Sequence, residues 1–337
     1  MTLGRFAYLF YHRPAGRVRT CIREGGPVEQ WKTEKGRRGM EAAAWRLPSI
    51  VGSRQSSVVS TEIETSGNSS HVTRHTSLSS GGKPLEVHML VGTRFWFMAA
   101  YALVSLQRQI DRAVHVHFYD DGTLEPTQRD KLETLAAAVT FHDRGGIDAR
   151  IERYLPEEKF PFIRERLRNY PNLKKLTDPH VGSTGPKLVM DADILFFSPP
   201  VELLQWFDAP ETILCATDVT ESYGYSRPLM EKLTGAPIPT DINVGITGLQ
   251  SEILDWEELE SWCRDLITRE KTNYYLEQAL VAMLCAGRPS TQLGLARYVT
   301  GPTDEQVLAK DGVMQHYVDL SKKEYFRSAW RRFTRSA

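Results

Sequence analysis

Apolar residues fall along this chain in short runs with two different spacings. Leu85 to Val91 has the length and apolar character of a strand, and the polar turn Gly92-Thr93 follows it. From Arg94 to Gln109, Phe97, Tyr101, Val104 and Leu106 gather near one side of a predicted helix. Ala113 to Tyr119 alternates apolar and polar residues as a second strand, closed by the turn Asp120-Asp121-Gly122-Thr123. Pro126 to Ala137 predicts a helix and Val139 to Phe141 a third strand. This β-α-β-α-β order with short connections predicts an α/β fold with a Rossmann-like, mostly parallel sheet flanked by helices. Ligands of such sheets sit at the carboxyl ends of the strands.

The pattern continues downstream. Residues 151–180 are charged and helical, interrupted by Pro156, Pro161 and Pro171. Lys187 to Phe197 predicts one strand with Asp191-Ala192-Asp193 in its middle, stopped by Pro199-Pro200. A short helix over Glu202 to Phe207, a strand over Ile213 to Asp218, a strand over Ile242 to Leu249 and a helix over Tyr275 to Ala286 complete it. Leu254 to Arg269 predicts an amphipathic helix whose stripe includes Trp256, Leu259, Trp262, Cys263, Leu266 and Ile267, so its tryptophans are expected in the core. Tyr223 to Asp241 and the tail after Gly301 are expected to be variable loops that meet the acceptor of any reaction.

Residues 1–83 lack sustained periodicity and are rich in Arg, Gly and Ser, which predicts a disordered extension before a domain at 84–333. Charge divides at the same place. Residues 1–83 hold 13 Lys+Arg against 6 Asp+Glu, a net of +7, and the remainder holds 29 against 36, a net of −7. With zero net charge overall and scattered arginines, no nucleic-acid partner is expected. Cys21, Cys215, Cys263 and Cys285 form no C-x-x-C pair, so a zinc knuckle has no support, and a reducing compartment is the easier reading. The Phe6–Tyr11 run is too short for a signal-peptide core, and Met89 to Leu106 contains Arg94. The expectation is a cytoplasmic protein without a transmembrane segment, any membrane contact being peripheral.

Asp191 and Asp193 carry the chemistry. Two apart on a strand, they are expected on one face, with Ala192 on the other. Two carboxylates set together behind an apolar strand repel unless a cation offsets them, and a hard divalent ion that bridges carboxylate to diphosphate is the natural one. A strand-end pair of caps is the plainer alternative for a bare D-x-D.

Lys187-Leu-Val-Met-Asp191-Ala-Asp193-Ile-Leu-Phe-Phe resembles the D-x-D strand of GT-A glycosyltransferases, especially glycosyltransferase family 8, the glycogenin and bacterial galactosyltransferase group. Three later segments agree in order. Asn243-Val-Gly-Ile-Thr-Gly-Leu resembles that group's N-x-G strand. Glu277-Gln278-Ala279-Leu280 resembles its D-Q-D-x-L stretch, with Glu and Ala replacing Asp. His316-Tyr-Val-Asp319-Leu-Ser-Lys322-Lys323 resembles H-x-x-G-x-x-K-P, with Asp319 for Gly and Lys323 for Pro.

The resemblance, over about residues 85–330, implies a GT-A fold and a metal-dependent transfer of sugar from a nucleotide-diphosphate sugar, a UDP-sugar foremost, to a glycan, lipid or protein acceptor. It implies Mn²⁺ or Mg²⁺ on Asp191, Asp193 and His316, Asp191 touching the metal or ribose. Lys322 would hold the β-phosphate. Gln278 would stabilise positive charge at the anomeric carbon, which fits retention. Asn243 would bind donor hydroxyls or the acceptor, unless it serves a strand-end turn. A basic residue before the D-x-D contacts the donor; Lys175 fits, with Arg164, Arg166, Arg168 and Lys174 as neighbours. From the fold, Thr93 and Asp121 are placed to touch the base, although Asp-Asp-Gly-Thr is also an ordinary turn.

Two rival readings fit parts of the pattern. Haloacid-dehalogenase phosphatases also carry D-x-D after a buried strand, but a Thr usually stands where this chain has Leu195. A nucleotide-sugar binder without turnover is the other, given Glu277 and Ala279.

Overall fold

The computed structural model describes residues 27–50, 82–271 and 274–335. The polar stretch expected to be disordered lies mostly outside them, as does Cys21.

Seven strands form the central sheet in the order β3-β2-β1-β4-β7-β6-β8. They are β1 (Leu85–Val91), β2 (Val114–Asp120), β3 (Ala138–His142), β4 (Pro186–Met190), β6 (Ile213–Thr217), β7 (Ile242–Gln250) and β8 (Ser290–Leu293). The β3-β2-β1-β4 block is parallel, β7 runs antiparallel to both its neighbours, and β8 is parallel to β6. The expected α/β class with a mostly parallel, mixed sheet holds. A second sheet, ordered β5-β10-β9, contains β5 (Ile194–Phe196), β9 (Tyr298–Thr300) and β10 (Met314–His316).

Alternation on β1 assigns the two faces. Leu85, Val87, Met89 and Val91 join one apolar cluster with α2 (Trp96–Arg108). The other cluster is built from α4 (Arg144–Tyr154), α5 (Pro161–Asn169), α9 (Trp256–Glu270) and α10 (Leu276–Cys285), and Trp262 is in it as expected. The chain-order helices between these are α3 (Pro126–Glu133), α6 (Lys174–Thr177), α7 (Val201–Asp208) and α8 (Arg227–Thr234). Cys215, Cys263 and Cys285 are buried and unbridged. Among the described residues no helix is long and apolar enough to cross a membrane.

Three expectations are corrected. First, Lys187–Phe197 is not one strand. β4 pairs with β7 up to Met190, and Asp191 still donates its N–H to the Gly245 carbonyl at 2.8 Å. The chain then leaves the sheet, and Ile194–Phe196 pairs with β10 instead. All three of those side chains are fully buried, so their backbone groups need a protein partner, which β10 supplies along with Ser105 Oγ on Phe196 N. The D-x-D pair therefore occupies the break between two sheets and not the face of a strand.

Second, part of the 1–83 extension is helical: Pro27–Ala44 forms α1. Its outer face is laced by pairs three and four residues apart, Glu29–Lys32, Glu34–Arg37, Glu34–Arg38 and Arg37–Glu41. Its inner face presents Gly36, Met40 and Ala44, with Leu47 following, to the C-terminal helical tract. That tract runs from Lys322 to Arg335 with a π-turn at Tyr325–Ala329. Arg327 reaches back to Glu29 at 2.7 Å and to Thr33 Oγ1 at 2.9 Å.

Third, the segments expected to be loops carry secondary structure and buried anchors. Tyr223, Tyr225, Met230 and Ile238 are buried, with Tyr223 Oη donating to the Pro239 carbonyl. After Gly301 come α11 (Asp304–Ala309), β10 and the C-terminal tract; Tyr317, just after β10, and Tyr325, Phe326, Trp330 and Phe333 of the tract enter the first apolar cluster.

Gly36 and Gly39 test how α1 docks. A Cβ on Gly36 would lie 2.3 Å from the Phe326 carbonyl oxygen, whereas one on Gly39 would meet only Arg331 and Trp330 side chains at 3.5 and 3.7 Å. Gly→Ala inside a helix ordinarily stabilises by about 1 kcal/mol. Urea denaturation should show that gain for Gly39→Ala and a loss of about 1–3 kcal/mol for Gly36→Ala; equal effects would mean that α1 does not pack there.

Candidate functional site

The parallel strands bring their carboxyl ends to one edge. β4 delivers Asp191 and Asp193, β1 and β2 deliver Thr93 and Asp121, and β6 delivers Asp218. β7 is antiparallel, so its first residues, Ile242 to Gly245, arrive at the same edge.

Asp191, Asp193 and His316 converge there. One ligand atom from each lies within 4.8 Å of the other two. His316 Nε2 is 3.3 Å from Asp193 Oδ1 and 3.5 Å from Asp191 Oδ2. It is buried, and the alignment makes no hydrogen bond with either carboxylate. Two carboxylate oxygens and an otherwise unpartnered imidazole nitrogen are a donor set suited to Mn²⁺ or Mg²⁺. The second sheet is what makes this meeting: β10 pairs antiparallel with β5, setting His316 opposite Ile194, and Tyr317 donates its N–H to the Asp193 carbonyl at 2.9 Å.

Gly245 explains the N-x-G pattern physically. A Cβ there would lie 2.2 Å from His316 Cε1, 2.4 Å from Nδ1 and 2.9 Å from Asn243 Oδ1. The absent side chain lets the imidazole lie against the strand. Asn243 Oδ1 accepts from Gly245 N at 2.8 Å, so its oxygen serves the strand-end turn. Asp319, where the resemblance has glycine, adopts φ of 48°, the left-handed region that favours glycine and tolerates Asp.

Charge is balanced around the pair. Lys322 Nζ is 3.0 Å from Asp193 Oδ2. Lys175 Nζ is 2.9 Å from Asp191 Oδ1, 3.5 Å from Glu277 and 3.2 Å from the Val244 carbonyl. Its basic neighbours are engaged elsewhere: Arg164 with Glu152, Arg166 with Glu165 and Arg168 with Glu157. Burial works against the Asp193 charge, but Lys322 and His316 hold its carboxyl well below the usual range. Burial also opposes the His316 charge, yet the two aspartates lift its pKa to about 9. Burial pushes Glu277 up to about 8; Lys175 opposes that and Asp191 adds to it.

The remaining expected residues divide. Gln278 Nε2 donates to Asp218 Oδ2 at 3.1 Å and to the Ile242 carbonyl at 2.7 Å. Thr93 and Asp121 meet in one stitched pair of turns. Thr93 N donates to Thr123 Oγ1 at 3.0 Å, Thr123 donates to Asp121 Oδ1, and the Asp121 carboxylate fills the space where Gly92 lacks a Cβ. Asp218 and the Glu277 carboxylate were missed as site residues. Asp218 was legible as an aspartate ending a predicted strand at the ligand edge; Glu277 shows its place only when α10 packs beside Lys175. Leu195, the position that argued against a phosphatase, is fully buried.

No protein-family model matches the chain, and no curated protein matches it. Solved structures do. A crystal structure of mouse xyloside xylosyltransferase 1, apo form, is similar over 69% of this chain and 97% of its own, at 16% identity and TM-score 0.47. The apo structure of the bifunctional glycosyltransferase WbbM matches over 77% of this chain and 52% of its own, at 13% identity and TM-score 0.49. The galactosyltransferase LgtC with donor and acceptor sugar analogues matches over 74% and 94%, at 13% identity and TM-score 0.48. At such TM-scores these likenesses add no argument, and the chemistry rests on the geometry above.

Gly245→Ala should push His316 off the strand and weaken Mn²⁺ binding roughly 10–100-fold in calorimetric titration, with the fold retained. Because His316 holds a proton up to about pH 9, an ion that takes its Nε2 must displace that proton. Mn²⁺ affinity should therefore climb between pH 7 and 9 and binding should release protons, read from heats in buffers of different ionisation enthalpy. A pH-independent affinity would remove His316 from the ligand set.

Proposed function

We propose that this chain is a metal-dependent glycosyltransferase of GT-A type that moves a sugar from a nucleotide-diphosphate sugar, a UDP-sugar foremost, to an acceptor. The observation that supports it most is the meeting of Asp191, Asp193 and His316 at the carboxyl edge of the sheet, with Lys322 beside Asp193. That arrangement fits a diphosphate held by a divalent ion and a lysine.

Asp191, Asp193 and His316 would hold Mn²⁺ or Mg²⁺. Such an ion, when bound, supplies positive charge against the departing diphosphate. Lys322 would turn from Asp193 to the β-phosphate as a point charge. Lys175 would hold the Asp191 carboxylate in place through their ion pair. Both acceptors of the Gln278 amide nitrogen are protein groups, which leaves its carbonyl Oε1 to meet positive charge developing on the sugar, and this suits retention. Asn243 would offer its amide Nδ2 to a donor hydroxyl, and Thr93 and Asp121 the base.

Thermal-shift screening of sugar nucleotides with Mn²⁺ should single out one donor, followed by slow hydrolysis or transfer of it. Asp193→Ala should lower turnover about 10²-fold or more while leaving base recognition. Lys322→Ala should raise KM for the donor. Donor binding with no turnover on any acceptor would favour the non-catalytic binder, and phosphatase activity without a nucleotide would overturn the reading. An inverted product would sink retention alone.

A further inference from the structure

The sheet face opposite α2 carries a row of polar side chains apart from the Asp191 site. Residues two apart on a strand share a face, so Glu86 and His88 of β1 and His115, His117 and Tyr119 of β2 lie together on it. The parallel register sets Glu86 beside His115 and His88 beside His117. His142 of β3 follows beside Tyr119. His88 is 2% exposed, and Glu86 and His117 are half-buried.

The ring nitrogens of two histidines divide in the same way. His88 Nδ1 lies 3.0 Å from Tyr119 Oη, and His117 Nδ1 lies 3.2 Å from His142 Nε2. The Nε2 atoms of both are buried and without a hydrogen-bond partner. An imidazole that donates Nδ1–H to a fixed acceptor presents an unprotonated Nε2, and proteins orient histidine on metal by this means. The two rings lie stacked, with centroids 4.6 Å apart, so one imidazole must turn for both in-plane Nε2 lone pairs to meet one ion. Glu86 adds a carboxylate: one ligand atom from each of Glu86, His88 and His117 lies within 4.8 Å of the others. Burial, with neighbouring histidines and Lys187, keeps both imidazoles neutral. Lys187 is a nearby positive charge that also faces Glu86, and its Nζ donates to the Thr184 carbonyl at 2.8 Å.

We infer that Glu86, His88 and His117 form a second divalent-cation site, fit for zinc. Two imidazoles and one carboxylate are a three-residue set that zinc takes readily, with a further position left to water. The donors differ from the Asp191 site, where two carboxylates and one imidazole suit a harder ion. Ligands from adjacent strands let the ion clamp β1 to β2 and satisfy two buried nitrogens that otherwise have no partner.

The test is zinc stoichiometry on the metal-stripped full chain, by titration and elemental analysis. Wild type should take two equivalents, His117→Gln one, and Asp193→Ala/His316→Ala one. Adding His117→Gln to the last should abolish binding, and Glu86→Gln should weaken the second site about tenfold. In the Asp193→Ala/His316→Ala background, Co²⁺ should give visible absorption bands of nitrogen–oxygen ligation that His117→Gln removes. If that background fails to fold, wild type against His117→Gln decides. Two equivalents retained by folded His117→Gln, or none bound by a folded Asp193→Ala/His316→Ala, would overturn the inference.

Discussion

Two aspartates brought within reach of one point repel each other, and the rest of this site answers that repulsion. Asp191 and Asp193 follow a buried strand, so water compensates them little. His316 comes from a second sheet, Lys322 from the start of the C-terminal tract and Lys175 from the short helix before β4, each placed against a carboxylate oxygen. The imidazole is protonated well above its usual range because it faces both acids. A divalent ion is the exchange for that proton, which links metal binding to the electrostatics of the empty pair.

The break in the sheet is the structural counterpart. The main ladder carries the chain to Met190, and β10 receives it again at Ile194. Between the two, Asp191 keeps one bond to β7 and Asp193 one to the end of β10, and both carboxylates turn to the same cation position. Because β10 supplies the partner for β5 as well as His316, the backbone pairing that buries Ile194, Leu195 and Phe196 also fixes the third ligand. Gly245 then sets how closely the imidazole can approach.

Periodicity made β1, α2, β2 and α3 legible, since their apolar spacings are regular and local. From that order came the expectation that Thr93 and Asp121 stand at the carboxyl edge, whereas Asp191 came from the paired carboxylates and the resemblance. The D-x-D strand was misread because apolar residues on both sides of the aspartates read as one strand; only pairing in space shows that the chain changes partners between Asp191 and Ile194. α1 was missed because its buried stripe uses Gly36 and Ala44, residues too small to register as apolar periodicity, while its charges look scattered until paired at three- and four-residue spacing. His316 and Lys322 came only from resemblance, since over a hundred residues separate them from Asp193. Glu277 was legible only as a position in the stretch around Gln278, and the histidines of β2 only as the polar half of an alternating strand; their neighbours appear when the elements pack.

The central claim is that Asp191, Asp193 and His316 form one cation site. Anomalous diffraction at the manganese edge, from crystals soaked in Mn²⁺, tests it most directly. A peak is expected, bounded by an oxygen of each aspartate and by His316 Nε2. A saturating soak that leaves this point without a peak, in crystals where the three side chains stand as described, would contradict it.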